Sequence, residues 1–258
     1  MTLNLKHTVL LAAVLLFSCT EVQRDNPWDE KSKNYNGGVS SSSSFSSARV
    51  SSSSSKPSIV KGPSVTYEGE TYETVVIGTQ TWMARNLNYN AEGSKCYNND
   101  PANCEKYGRL YDWATAMNLE KPLCNNYHCA VGTKHKGICP DGWHIPSEAN
   151  WDKLLRYVDG VTGLGEYESE TAGMYLKATD GWNSGGNGED WYGFSALPGG
   201  SGDDGSFSDV GIYGLWWSAT EYNETAAYRR GMSYSIADVY SGGVHKGYFL
   251  QSVRCVQD

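Results

Sequence analysis

Cysteine is the residue type whose position and number in this chain most directly indicate chemistry. The first of seven cysteines, Cys19, ends the run Leu15-Leu16-Phe17-Ser18-Cys19, which is typical of a lipoprotein processing site. The apolar stretch Val9–Phe17 has about nine residues, which is the length of a signal peptide core and too short for a membrane-spanning helix. We therefore expect a signal peptide over residues 1–18 and a lipid on Cys19. The alternative is an ordinary signal peptide with an incidental cysteine.

A lipid on Cys19 predicts a location in the cell envelope, with the membrane as a partner through the lipid. Bacterial lipoproteins kept at the inner membrane often have Asp after the cysteine, so Thr20 favours the outer membrane or the cell surface. The net charge of -8 argues against nucleic acid as a partner. The sequence leaves the oligomeric state open.

The other six cysteines favour disulfide bonds, because an even number in an exported domain is typical of a disulfide framework. Cys96 with Cys104, and Cys124 with Cys129, would close two short loops. Cys139 with Cys255 would close a long loop, worth about 4–5 kcal/mol in the chain-entropy model. The alternative is zinc bound by a set that lacks the paired Cys-x-x-Cys spacing of structural zinc sites. That set is His128, Cys129, His135 and Cys139.

Two glycine-rich loops, Asp180–Trp191 and a second one downstream that carries Asp203 and Asp204, could supply oxygen ligands to calcium, the one cofactor that the sequence suggests. An EF-hand pattern is absent, and the alternative is a turn-rich surface with hydrogen-bonding Asn and Asp side chains. The candidate ligands are Asp180, Asn187, Glu189, Asp190, Asp203 and Asp204.

Four tryptophans in or near these loops could stack on sugar rings, which would make polysaccharide the ligand. They are Trp182, Trp191, Trp216 and Trp217, with Asn187 beside them in the first loop. Adjacent residues of a strand point to opposite faces, so we expect at most one of Trp216 and Trp217 in the core. The alternative for each tryptophan is core packing, which we expect for Trp82, Trp143 and Trp151.

No residue pattern predicts a catalytic site, so we expect no enzyme. The run Gly193–Leu197 breaks the Gly-x-Ser-x-Gly nucleophile elbow at its last position. The many carboxylates show no spacing that selects a glycosidase pair. His144 lies within a Trp-His-Ile-Pro run, where we expect a hydrogen-bonded structural imidazole.

The composition divides the chain into a tether and one domain. Serine runs and few apolar residues predict a flexible tether over residues 19–64, because such chain cannot bury enough apolar surface to offset its backbone entropy. Residues 65–258 have a globular composition and are long enough for one domain with a core.

The elements of this domain are mixed and predict an α+β fold. Ser147 as N-cap, Gly160 as C-cap and an apolar face at helical spacing predict a helix after Pro146. We expect shorter helices over Tyr111–Asn118 and Ser169–Ala178, and an irregular stretch from Thr179 to Ser208. The expected strands are Tyr72–Ile77, Gln80–Ala84, Leu215–Thr220, Tyr228–Tyr234 and Tyr248–Val256.

A series of motifs in order along residues 65–258 resembles the Fibrobacter succinogenes major paralogous domain family. The segment Cys139–Ser147, Cys-Pro-Asp-Gly-Trp-His-Ile-Pro-Ser, is the most specific of them. The other matching segments are Thr71–Leu87, Gly108–Trp113, Gly193–Gly200, Trp216–Glu221 and Ser252–Val256.

The same central segment is similar to the Trp-Arg-Leu-Pro-Thr segment of C-type-lectin-like and formylglycine-generating-enzyme-like domains. This resemblance implies a C-type-lectin-like fold with early helices, long irregular loops and late antiparallel strands. The pairing of Cys139 with Cys255 fits that plan. Formylglycine-generating enzymes use two late cysteines around copper, whereas this chain has only Cys255 near its end.

These observations predict a surface-displayed, lipid-anchored binding or adhesion domain with polysaccharide as its ligand. One alternative is a structural or assembly protein of the cell envelope without a soluble ligand. The other is an enzyme on a formylglycine-generating-enzyme-like scaffold.

Overall fold

The computed structural model describes residues 56–160, 169–203 and 205–258. The predicted signal peptide, Cys19, residues 19–55 of the predicted tether and Asp204 lie outside the described residues. Within these ranges, short helices and mostly antiparallel strands form an α+β domain. No helix in the three ranges is long and apolar enough to cross a membrane.

The elements alternate along the chain. In chain order the strands are β1 (Lys61–Tyr67), β2 (Glu70–Ile77), β3 (Gln80–Met83), β4 (Leu110–Tyr111), β5 (Trp143–His144), β6 (Gly199–Gly202), β7 (Phe207–Val210), β8 (Tyr213–Glu221), β9 (Ala226–Ser233), β10 (Tyr240–His245), β11 (Gln251–Ser252) and β12 (Val256–Gln257). The helices are α1 (Pro101–Tyr107), α2 (Trp113–Ala116), α3 (Leu123–Asn126), α4 (Glu148–Asp159) and α5 (Ala172–Leu176).

The strands form two sheets. The first has the order β1-β2-β3-β12-β5, and all of its neighbours are antiparallel. The second has the order β10-β9-β8-β11-β4, with β6 beside β8 and β7 beside β6. Because β12 lies between β3 and β5, the last residues of the chain complete the first sheet.

Helix α4 confirms the prediction made after Pro146. The Ser147 side chain caps the helix and forms a capping box with Asn150, while Gly160 ends it with a φ of 64°. The predicted apolar face is buried and consists of Trp151, Leu154, Leu155 and Val158.

Strands β2 and β3 confirm the two strands predicted before the first helix. Three expectations about the elements need correction. Strand β1 begins at Lys61, inside the predicted tether, because it pairs with β2 from Lys61 opposite Val75. Strand β6 lies within the stretch predicted as irregular, and β7 begins at its end. The single strand predicted over Tyr248–Val256 is two short strands, β11 and β12, in different sheets.

Both tryptophans of β8 are in the core, so the expectation of at most one is wrong. Trp216 and Trp217 are each 0 % exposed. Trp216 packs in one apolar cluster with Trp82 and Trp151, and Trp217 packs in another. Their side chains do leave opposite faces of the strand, but each face is covered by its own cluster.

Asn86 joins three segments in the buried centre of the domain. Its Oδ1 accepts hydrogen bonds from Trp216 Nε1 at 2.8 Å and from Arg254 Nη2 at 2.7 Å, and its Nδ2 donates to Tyr107 O at 2.8 Å. Arg254 is only 1 % exposed, and its guanidinium lies 4.3 Å from the ring centroid of Phe194. Burial lowers the pKa of Arg254.

The three predicted disulfides are present, joining Cys96 to Cys104, Cys124 to Cys129 and Cys139 to Cys255. The zinc alternative required Cys129 and Cys139 as free thiolates. Both sulfurs are instead in disulfides, so that ligand set is wrong.

Removing the long-range disulfide should cost more stability than removing a short one. In the chain-entropy model, the difference between the loops closed by Cys139–Cys255 and Cys96–Cys104 is about 2 kcal/mol. We expect the pair Cys139→Ala/Cys255→Ala to lower the free energy of unfolding by that much more than Cys96→Ala/Cys104→Ala. Urea unfolding of both variants tests this, and equal losses would contradict it.

Replacing Asn86 should weaken the domain strongly, because Trp216 Nε1 and the Arg254 guanidinium would lose a buried acceptor. We expect Asn86→Ala to lower the free energy of unfolding by about 3 kcal/mol, since hydrogen bonds to charged groups are worth about 1.5–3 kcal/mol each. Asn103→Ala is the control and should lose about 1 kcal/mol, because half-buried Asn103 donates its Nδ2 hydrogen only to the neutral Tyr97 O, at 2.9 Å, among the described hydrogen bonds. Similar losses in urea unfolding would rule out the special role of Asn86.

Candidate functional site

The tryptophans predicted to stack on sugars do not share an exposed face. Trp182, Trp216 and Trp217 are 5 %, 0 % and 0 % exposed. Trp182 donates its Nε1 hydrogen to Ala196 O at 3.0 Å, so its polar edge is satisfied inside the domain. The predicted role is therefore wrong for these three residues, because their indoles belong to the core.

Trp191 and Asn187 are the remaining members of that set. Trp191 is half-buried and stacks on Tyr175 with 4.2 Å between ring centroids. Asn187 is exposed, but its Oδ1 accepts the backbone N–H of Trp182 at 3.0 Å. Asn187 thus stabilises its own turn, which was the alternative reading of this loop.

Two of the predicted calcium ligands, Asn187 and Asp190, are engaged in local hydrogen bonds. The Asp190 carboxylate accepts hydrogen bonds from Ser195 N at 2.8 Å and Ser195 Oγ at 2.7 Å. In the three described ranges, no group of three or more His, Cys, Asp or Glu side chains could hold a metal ion. Asp204 lies outside these ranges, so calcium stays a prediction. The other candidate ligands are Asp180, Glu189 and Asp203, of which the first two are exposed and the third half-buried.

Ionisable groups that could be catalytic are engaged in structural contacts. His144 is 1 % exposed, and its Nδ1 lies 2.7 Å from Asp258 Oδ1. The Glu148 carboxylate binds the buried guanidinium of Arg230 at 2.7 Å. The Glu221 carboxylate binds the buried amino group of Lys246. His144 therefore has the hydrogen-bonded, buried setting expected of a structural imidazole.

Two neighbouring clefts that share Tyr89 lie on the surface of the described part of the chain. Each cleft has a volume of about 530 Å³. The first, the hairpin cleft, lies beside the turn between β1 and β2. The second, the helix cleft, lies beside α2. We call the two clefts together the tyrosine groove.

The hairpin cleft is built by the tight turn after β1. Glu68 and Gly69 have positive φ angles of 50° and 83°, and they return the chain into β2. The turn brings the Tyr67 ring to 5.3 Å from the Tyr89 ring, at an interplanar angle of 44°. The backbone of Tyr89 is held by Tyr111, whose Oη donates to Tyr89 O at 2.8 Å. Two half-buried tyrosine rings therefore stand on a fixed backbone.

Hydrogen bonds hold the polar edge of the hairpin cleft in place. The Glu70 carboxylate accepts from Arg85 Nη2 at 2.8 Å and from Asn88 Nδ2 at 2.6 Å. The Arg85 guanidinium lies 4.5 Å from the centroid of the Tyr72 ring, and Tyr72 Oη accepts the Asn88 N–H at 3.1 Å. Burial raises the pKa of both Tyr72 and Tyr67. Both phenols are therefore neutral near pH 7.

Asp112 anchors the wall of the helix cleft. Its carboxylate accepts from Thr115 Oγ1 at 2.7 Å and from Asn125 Nδ2 at 3.0 Å, and it forms an ion pair with Lys121. Burial raises the pKa of Asp112, but the hydrogen bonds from Lys121, Asn125 and Thr115 outweigh burial and lower it overall. Thr115 and Lys121 line the cleft, together with Leu119.

The groove offers aromatic faces, amide and carboxylate edges, and a few charges at its rim. Glu68, Glu92 and Glu105 are exposed on it, and Arg109 is half-buried. These groups can pack against and hydrogen-bond a ligand. Sequence reasoning missed this site because Tyr67 and Tyr89 are far apart in sequence and meet only through tertiary contact. The polar run Asn88-Tyr89-Asn90 shortly after β3 was the available signal.

The family of the chain follows from its sequence pattern. Residues 75–257 match the Fibrobacter succinogenes major domain, and they make up well over half of the 258 residues. The chain therefore belongs to the Fibrobacter succinogenes major domain family. Comparison with curated proteins and with solved structures finds no match. The family's name does not define a ligand or a reaction.

The lowered pKa of Asp112 makes a pH-dependent prediction. A carboxylate with a lowered pKa stabilises the folded state above its unfolded pKa, about 3.8, and loses that contribution as the pH falls below it. We expect Asp112→Asn to lower the free energy of unfolding by about 2 kcal/mol at neutral pH. The difference from the unsubstituted protein should shrink below about pH 4.

Urea unfolding at a series of pH values measures this difference. Asp100→Asn is the matched control, because Asp112 is the N-cap of α2 and Asp100 is the N-cap of α1. The exposed Asp100 carboxylate accepts from Ala102 N alone among the described hydrogen bonds. Asp100→Asn should cost less at neutral pH. A difference for Asp112→Asn that grows toward acid pH would contradict the prediction.

Proposed function

We propose that this domain binds a neutral polysaccharide chain in the tyrosine groove and performs no chemistry on it. The observation that carries the proposal is the shared Tyr89, which lines both clefts. A chain-like ligand could occupy both clefts with one sugar ring against Tyr89. The proposal keeps the ligand class that the sequence predicts and moves it from the tryptophans to the tyrosines.

Sugars suit this groove for physical reasons. A pyranose ring has apolar C–H faces that pack on aromatic rings, and hydroxyl edges that pair with amides and carboxylates. The rings of Tyr67 and Tyr89 are supported by the hairpin and by Tyr111. Groups that are already fixed lose little conformational entropy on binding. The acidic rim favours neutral over anionic polysaccharides, because like charges repel.

The cellular setting is also part of the proposal. The run ending at Cys19 supports a lipid anchor in the outer membrane or at the cell surface, with the serine-rich segment as a spacer. A C-type-lectin-like plan is supported by the Cys139–Cys255 disulfide. This disulfide joins a residue shortly before β5 to the residue directly before β12. On this reading the domain is an adhesion module displayed on the cell.

A second candidate is a structural or assembly role in the cell envelope. It is favoured by the burial of the tryptophans, because a core accounts for them without any ligand. The enzyme alternative has less support, since Cys255 is in a disulfide and cannot serve in a late cysteine pair. Polysaccharide binding separates the first two candidates.

Replacing Tyr89 should weaken binding of a neutral oligosaccharide. Burying about 80–100 Å² of aromatic surface is worth about 2 kcal/mol, which corresponds to roughly 30-fold in affinity. We expect Tyr89→Ala to weaken by about that factor the binding of whichever hexasaccharide the protein binds best, among cello-, xylo-, chito- and mannohexaose. Calorimetry on the purified full-length chain measures it.

Tyr157→Ala is the matched control, because Tyr157 is a 53 % exposed tyrosine on α4 and does not line the groove. Its substitution should leave binding unchanged. If none of the four hexasaccharides binds, or if Tyr89→Ala binds as tightly as the unsubstituted protein, the proposed groove is refuted.

A further inference from the structure

We propose a second glycan-binding surface, the tyrosine end, formed by Leu123, Tyr127, Tyr222 and Tyr248. In that order, these residues are 50 %, 60 %, 56 % and 51 % exposed. They are half of the eight exposed large hydrophobic residues in the described part of the chain. Exposed apolar side chains grouped over a few hundred Å² are often functional.

One buried ion pair brings the segments of the tyrosine end together. The Lys246 amino group is buried beneath them and forms an ion pair with Glu221. It also donates to Tyr127 O at 3.1 Å and to Glu224 O at 2.9 Å. Tyr222 follows Glu221, and Tyr248 lies two residues after Lys246. Each of the three segments that meet at this ion pair therefore carries an exposed tyrosine.

The Glu221 carboxylate also holds the loop that follows α3 and carries Tyr127. It accepts the N–H groups of Cys129 and Ala130 at 3.0 Å each, and His128 Nδ1 lies 2.9 Å from it. The Cys124–Cys129 disulfide closes the same loop. The backbone that carries Tyr127 is therefore fixed from both sides.

The rings themselves also have supports. Tyr222 lies against Gly243, where an added Cβ would stand 2.5 Å from the ring, and it meets Tyr228 edge to face at 5.1 Å. Tyr248 meets Phe249 edge to face at 5.1 Å. Rigid aromatic side chains provide contact area at a low cost in conformational entropy.

The size of this surface favours a sugar chain over a protein partner. Aromatic side chains bury about 150–250 Å² each, so the half-exposed residues of the tyrosine end offer about 400 Å². A stable protein interface needs about 800 Å² from each partner. Three tyrosine rings do suffice to contact a few sugar units.

The exposed polar residues beside the rings suit hydroxyl groups. Asn126, His128, Asn223 and His245 are exposed and neighbour the tyrosines in sequence or through Glu221. One polar atom of each already makes a local contact: Asn126 Nδ2, His128 Nδ1, Asn223 Oδ1 and His245 Nδ1. The other polar atom of each side chain is the one that would meet a ligand. Amide and imidazole groups both donate and accept hydrogen bonds, as sugar hydroxyls require. We therefore assign to the tyrosine end the same class of ligand as to the groove, a neutral glycan. The inference rests on the proposed function for this ligand class, but on different residues.

Two sites on one domain predict a stoichiometry of two. Calorimetry of the full-length chain with the four hexasaccharides named above should give two sites for the one that binds best. Tyr127→Ala/Tyr222→Ala/Tyr248→Ala should leave one site, and Tyr89→Ala should also leave one high-affinity site. On the corresponding long polysaccharide, the triple variant should bind at least tenfold more weakly, because bivalent attachment is lost.

Each outcome separates the tyrosine end from the groove. One site that only Tyr89→Ala weakens would overturn the tyrosine end and leave the groove. One site that only the triple variant removes would overturn the groove and leave the tyrosine end. If none of the four probes binds, both sites are overturned.

The double variant Tyr127→Ala/Tyr248→Ala keeps the packed Tyr222, so it repeats the test without disturbing that packing. Tyr157→Ala is the control, and circular dichroism verifies that each variant is folded.

Discussion

The buried contact between Asn86 and Arg254 is the constraint around which the domain closes. A guanidinium removed from water needs hydrogen-bond acceptors, since an unpaired buried charge is very costly. Asn86 Oδ1, Phe194 O and the Phe194 ring meet that need from segments far apart in the chain. The neighbouring residue, Cys255, forms the long-range disulfide, and β12 begins directly after it. The fold therefore has to bring its last residues beside β3 for this charge to be satisfied.

The same contact fixes the candidate site. The backbone runs from Asn86 straight into the segment that carries Tyr89, and Leu87 N donates to Val253 O at 2.8 Å on the way. Tyr111 Oη then bridges Leu87 O and Tyr89 O at 3.2 and 2.8 Å. A surface groove is thus attached to the buried centre by three residues of backbone. This short connection gives the groove the rigidity that a recognition site needs.

The sequence carries the local parts of this structure and misses the parts that depend on tertiary contacts. Helix α4 was predictable, because its caps and apolar face are encoded within fifteen residues. The disulfide pairs were predictable from the even cysteine count and their spacing. Strand β6 was not, because Gly-Gly-Ser-Gly has no side-chain alternation. The burial of both Trp216 and Trp217 was not predictable either, since it depends on clusters that cover both faces of β8. The groove needed the register of β1 with β2, which no local pattern fixes.

Strand β1 sets the geometry between the start of the described domain and its groove. The chain enters at Lys61, and Tyr67 lies at the other end of the same strand, about 20 Å away at roughly 3.4 Å per residue. A linkage placed directly at the Lys61 end of β1, to a bead or a sensor chip, therefore has the length of one strand between it and Tyr67. In engineering terms, this end of the strand is an attachment point separate from the groove.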